Sequence, residues 1–257
     1  MINLQTRKSK RLYVAEFDRQ MQVLERIFVK EIRPVFNRQY LSSASLVQQG
    51  IVDISSTVNQ STDRLIRLLY KHYRRVALNF SKKAFDIMEN SKSFDIPEIK
   101  TPKDEFFKTM NTWMTSQAGE KIQKINKATR NNIAAVIQKG MNDGISHRDI
   151  AKNIRKNGLI TNRSRAVTVA RTETHTCAVR AVDESVKSTR IEMEREWVSS
   201  KDGRTRTMGK GSKFEHFISF PLGPDGERVS QDGWFKKTGE AIKHPGDPNG
   251  SAANTIN

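Results

Sequence analysis

The chain is short of several things, and each shortage narrows what it can be. Its 257 residues hold one cysteine, Cys177, so no internal disulfide can form, which fits a reducing compartment. Aromatic residues make up 7% and hydrophobic residues 36%, little for a compact globule of this size, and long, partly exposed helices would account for it. No run approaches the length and apolarity of a membrane span. The basic stretch Met1–Arg11 leads into no apolar segment, as a secretory signal would require. There is no Gly-rich phosphate loop, no Gly-x-Ser-x-Gly elbow and no Cys/His pair of nucleophilic spacing, and the chain is expected not to be an enzyme and to need no cofactor.

Acidic residues are also scarce, but only in part of the chain. The net charge is +17. Residues 1–90 carry 16 Lys/Arg against 8 Asp/Glu, and residues 177–257 carry 13 against 12. Nearly all the excess therefore lies before residue 177. Such a body suits a polyanion or an acidic protein surface. Lys71, Arg74, Arg75, Lys82 and Lys83 are candidates for that contact, although the scarcity of interleaved aromatics argues against base stacking.

Apolar residues recurring at three and four positions predict a mainly α-helical chain. Tyr13, Phe17, Met21, Leu24, Phe28 and Ile32 give a first helix, expected to end near Pro34. Residues 42–60 have weak periodicity and read as a loop or a short helix. Leu65, Leu69, His72, Val76, Phe80, Ala84 and Ile87 give a second, over Thr62–Asn90. His72 on that stripe reads as a core histidine, since Val76 stands where a second metal ligand would be. Ser91–Lys103, with Pro97 and Pro102, reads as a linker, so the expected division is a basic helical region over 1–100 and a second domain over 101–257, with helices in 104–188 and a β and loop element in 189–257. Thr101-Pro102-Lys103-Asp104 is a helix start whose product carries Phe106, Met110, Trp113, Ile122, Ile125, Ile133 and Ile137, with Gly119 as a possible break. Ser146-His147-Arg148-Asp149 starts a further short helix, expected to close at Gly158. Thr161 is then expected to cap a separate helix running to about Lys187.

That last helix holds the stretch round which the chain is organised, Ala170-Arg171-Thr172-Glu173-Thr174-His175. Ala166, Ala170, Thr174, Cys177, Ala181 and Ser185 form one narrow face of small residues, with Glu173 at its edge and Arg171 and His175 on one flank. On that face Cys177 reads as a buried structural thiol. The pattern then changes to a period of two: Ile191, Met193, Arg195, Trp197 and Ser199 alternate with Glu192, Glu194 and Glu196, predicting a strand. Phe214, His216, Ile218 and Phe220 alternate again, predicting a second strand.

The run Ala-Arg-Thr-Glu-Thr on a helix, followed by Trp197 with Asp202-Gly203-Arg204-Thr205-Arg206 and then Pro245-Gly246-Asp247-Pro248-Asn249-Gly250, resembles the phage head morphogenesis family, the minor head proteins similar to protein F of phage Mu. The resemblance runs from about Ile137 to Asn257. It implies an α+β fold, with long helices followed by a small C-terminal β-hairpin or loop element packed on the ARTET helix. It also implies a structural minor head protein of a tailed bacteriophage, made in the host cytoplasm and held at the portal or the inner capsid of the virion. Its expected partners are the portal protein, the major capsid or scaffolding protein and packaged double-stranded DNA, with no membrane. Its role would lie in head assembly and in DNA packaging or ejection.

Two departures stand out. The family places a His soon after its Arg-Thr-Arg, whereas here the nearest is His216, and it continues with a Cys-x-Cys pair past the last turn. On this reading Arg171, Glu173, His175, Trp197, Asp202, Arg204, Arg206, Pro245, Gly246 and Asp247 form a structural motif, with Glu173 paired to Arg204 and Arg206 and with Asp202 and Asp247 bracing loops. His216, His244 and Asp247 lack tight ligand spacing, so no metal is expected, His216 and His244 being weak candidates. The alternative is an effector enzyme carrying a head-protein domain, with nuclease activity or with ADP-ribosyl transfer suggested by Glu192-x-Glu194 or Glu194-x-Glu196. A third reading is a free nucleic-acid-binding protein.

Overall fold

The computed structural model describes residues 7–90, 102–190, 192–199, 221–244, 247 and 250. It is mainly α-helical with a small antiparallel β element. Its elements are α1 (Arg7–Gln48), α2 (Ser55–Asn59), α3 (Thr62–Asn90), α4 (Pro102–Asn142), α5 (His147–Ser188), β1 (Glu194–Glu196) and β2 (Arg228–Ser230). The chain divides into two compact units. One takes in the described parts of Met1–Leu24, Arg75–Met110 and Arg171–Asn257, the other Glu25–Arg74 and Asn111–Ala170.

Three predicted breaks are not breaks. α1 continues through Pro34, because the buried stripe does not stop there: Val35, Phe36, Tyr40, Ala44 and Val47 are all buried beyond it. Their burial outweighs the one backbone hydrogen bond that proline removes. α4 continues through Gly119, a helix of 41 residues and about 60 Å. α5 continues through both Gly158 and Thr161, a 42-residue helix where a short helix and a separate one from Thr161 were expected. Gly158 is there for packing, not for ending a helix, since a Cβ on it would lie 2.8 Å from Tyr40. Thr161 does not cap a new helix, because its hydroxyl donates back to the Asn157 carbonyl one turn earlier (2.8 Å).

Other boundaries fall where the pattern set them. α3 covers Thr62–Asn90. Ser146 caps α5, accepting from the Asp149 amide (3.2 Å) while its hydroxyl donates to the Asp149 carboxylate (2.6 Å). Residues 42–60 split between the end of α1 and the five-residue α2.

In the unit built from Glu25–Arg74 and Asn111–Ala170, the apolar core joins Tyr40, Ala44, Val47, Ile54 and Val58 to Ile133, Ile137, Ile150, Ala151 and Ile154. Beside it lies a buried polar cluster that periodicity does not announce. The Gln39 amide donates to Ser61 Oγ (2.6 Å), Asn126 Oδ1 (3.0 Å) and the Val58 carbonyl (3.2 Å), and accepts from Thr129 Oγ1 (3.3 Å). Asn126 in turn donates to Thr62 Oγ1 (2.9 Å). Arg165 reaches the Ile125 carbonyl (2.6 Å) and lies over the Phe36 ring at 4.7 Å. His72 is a core residue, fully buried and stacked on Phe28 with ring centres 4.1 Å apart.

In the other unit, Phe17 packs on Phe80 and Phe85 on Phe106. The strand predicted around 191–199 forms over Glu194–Glu196. Its partner is β2, in the register Glu194↔Ser230, Arg195↔Val229, Glu196↔Arg228. The second strand predicted over 214–220 lies outside the described residues.

Candidate functional site

The candidate site is the buried face of α5 after residue 170 together with the β element, both in one unit. Glu173, Thr174, Cys177, Ala178, Ala181, Ser185 and Ser188 are all buried. Small side chains let a neighbouring backbone approach closely, and Cys177 meets the Ala77 backbone of α3 in a hydrogen bond. Burial, reinforced by the Glu173 carboxylate one turn away, pushes the Cys177 thiol well above its ordinary range. Cys177 is thus an inert core residue. The hydroxyls on this face are satisfied by their own helix, Ser185 by the Ala181 carbonyl (2.7 Å) and Ser188 by the Ser185 carbonyl (2.8 Å). Ion pairs along the edges, Arg180 to Glu184 at 2.7 Å and Lys187 to Asp183 at 2.9 Å, flank the seam.

Glu173 is only 5% exposed, a carboxyl side chain held where water is scarce. Arg171 and His175 are half-buried on the flank. His175 as a residue is half-buried, and the protein packed round its ring and, second, the neighbouring His244 lower its pKa to about 4. It is a neutral imidazole at pH 7.

The β element has a small core of its own. Trp197 meets Phe235 edge to face at 5.4 Å, with Ile242 and Val229 closing the cluster. Arg195, which alternation placed on the apolar face, holds this element together. Its guanidinium donates to the Lys243 carbonyl and the Gly233 carbonyl, each at 2.6 Å, and lies 5.7 Å over the Phe235 ring. Buried Glu227 accepts from the Lys236 and Lys237 amides (3.0 and 3.1 Å). Buried Asp247 accepts from the Lys243 amide (2.7 Å) and fixes the loop carrying His244. Glu196, on the acidic face, is held by Lys10 (2.6 Å) and Arg228 (3.1 Å). Sequence reasoning passed over Glu227, since a single carboxylate in a turn has no pattern.

Asp202, Arg204, Arg206, His216, Pro245 and Gly246 lie outside the described residues. Among the described residues, no group of three or more His, Cys, Asp or Glu could hold a metal ion. Lys71 and Arg74 fall in one unit, Lys71 being 3.4 Å from Glu31. Arg75, Lys82 and Lys83 fall in the other, Lys83 being 3.3 Å from Glu16.

Residues 131–211 match the family model described as phage Mu protein F like protein. Over these residues the chain is similar to phage Mu protein F. The match takes in the end of α4, all of α5, β1 and both the ARTET and Asp-Gly-Arg-Thr-Arg motifs, and stops before Pro245–Gly250. No curated protein and no solved structure gives a significant match. That likeness suggests a phage head or head-morphogenesis protein.

Proposed function

We propose that this is a structural minor head protein of a tailed bacteriophage, acting at the portal or the inner capsid in head assembly and in DNA packaging or ejection. The observation that carries the reading is the Mu F-like match over residues 131–211. The charge of the chain agrees with it. The unit of Glu25–Arg74 and Asn111–Ala170 holds 19 Lys/Arg against 7 Asp/Glu, a net +12 of the +17 of the whole chain, and so suits an acidic portal surface or packaged DNA. The face of α5 around Glu173 is, in this reading, scaffolding, with Glu173 paired to Arg204 and Arg206. If Glu173→Gln left thermal stability unchanged, that pairing would be dropped.

The test is co-expression with the portal protein of the same genome, followed by size exclusion at moderate and high salt. Co-elution that survives high salt supports an apolar portal interface. Co-elution lost at high salt points to the basic surface, because exposed charge pairs are screened. No association at either salt removes the portal as a direct partner.

A further inference from the structure

α1 and α5 run side by side in the unit of Glu25–Arg74 and Asn111–Ala170, tied by two side-chain hydrogen bonds. Arg155 donates to Gln48 Oε1 (2.7 Å), and Asn162 donates to Asn37 Oδ1 (3.0 Å). Leu159 stands between Arg155 and Asn162 on α5, four residues after one and three before the other. Leu41 stands between Asn37 and Gln48 on α1, at four and seven. Helical spacing therefore puts both leucines on the outward side of the same seam. Both are open to solvent, Leu41 at 55% and Leu159 at 72%.

The residues round them are basic. Lys152, Lys156 and Arg163 share the face of α5 that Leu159 centres, at steps of three and four, and Arg38 stands beside Leu41 on α1. These four cations are exposed, and none has an ion-pair partner among the described residues. The nearest acid on this stretch of α5, Asp149, is already taken by Ser146.

We propose that this seam docks an acidic amphipathic segment of a partner protein, its apolar side on Leu41 and Leu159 and its carboxylates on the four cations. Charge decides the occupant. A second copy of the same face would bring like charges together, and a DNA backbone would gain nothing from two leucines. A segment with carboxylates flanking apolar anchors satisfies both parts of the surface. The inference rests on this surface alone and stands whether or not the portal is a partner.

The probe is a labelled synthetic helical peptide with leucines at every third and fourth position and glutamates between them, measured by fluorescence anisotropy on the full chain, with a short duplex DNA in parallel. Two variants separate the terms. Leu41→Ser with Leu159→Ser removes the apolar anchors without changing charge, and Lys152→Glu with Lys156→Glu reverses part of the rim. All four positions are exposed, so circular dichroism should be unchanged. The peptide is expected to bind, each variant should weaken it about tenfold or more, and duplex binding should respond to the charge reversal only. Absence of peptide binding, binding indifferent to the leucine pair, or equal binding of a peptide with serines for leucines would overturn the proposal.

Discussion

The backbone of Gly158 lies against the ring of Tyr40: a Cβ built on Gly158 would stand 2.8 Å from Tyr40 Cβ and Cγ, closer than real side chains come. Tyr40 is 1% exposed and belongs to the core, so it has nowhere to go. Gly158→Ala should therefore destabilise the protein despite alanine's better helix propensity, since overpacking costs about 1–3 kcal/mol and the propensity gain returns at most about 1. Gly119 is the control. Nothing lies within 4 Å of a Cβ there, and Gly119→Ala should stabilise by about 0.5–1 kcal/mol. Urea unfolding of both variants checks the pair, and two shifts of the same sign would refute the packing account.

Gln39 carries a different kind of constraint. It is 1% exposed, its amide nitrogen with two hydrogens lies within bonding reach of Val58, Ser61 and Asn126, and its oxygen accepts from Thr129. Gln39→Leu keeps the volume but leaves buried acceptors without a donor, at a cost of about 1–3 kcal/mol. Replacing Asn126 as well should cost less than the two single changes added together, because both remove one network. A double-mutant cycle by chemical denaturation measures this, and simple additivity would dissolve the network.

How legible these features were in the sequence depends on the physics behind each. The small-residue face from Ala166 to Ser185 and the extent of α3 were legible, because burial on one side of a helix enforces a period that composition can reveal. The continuity of α1 and α5 was not. Pro34 and Gly158 are local stop signals overridden by packing against residues far away in sequence, Gly158 by Tyr40 above all, while Thr161, a start signal, bonds back to Asn157 instead. The Gln39 cluster was invisible for the same reason, its members lying 87 and 90 residues apart. In the β element alternation found β1, but it does not say what Arg195 does among the apolar residues of its face. Only the fold reveals that it binds two carbonyls there.

His175 should make the protein acid-sensitive in a defined window. Its folded pKa is about 4 against an ordinary 6.5, with burial the larger cause and His244 the second. Below pH 6.5 the unfolded chain takes up a proton that the fold refuses. The stability due to the neutral ring is thus fully present above about pH 6.5 and is lost as the pH falls toward 4. Urea midpoints should decline across that range in the parent protein and decline less in His175→Gln. Parallel curves would show that another group carries the effect.

Arg195 offers the sharpest test of how the β element is held. Lysine keeps the charge but cannot reach two carbonyls in fixed directions, so Arg195→Lys should fail nearly as badly as Arg195→Ala. Both remove the paired bonds to Lys243 and Gly233, and Arg195→Ala also removes the charge over the Phe235 ring, while the packing of Trp197 on Phe235 and the Glu227 bonds to Lys236 and Lys237 remain. Hydrogen exchange followed by mass spectrometry should show faster exchange over residues 192–199 and 226–244 in both variants. Exchange at the core of Tyr40, Val47 and Ile133, which lies in the other unit, should stay as it was. If Arg195→Lys protected the β element as well as arginine does, charge over the Phe235 ring would suffice and the two carbonyl bonds would be incidental.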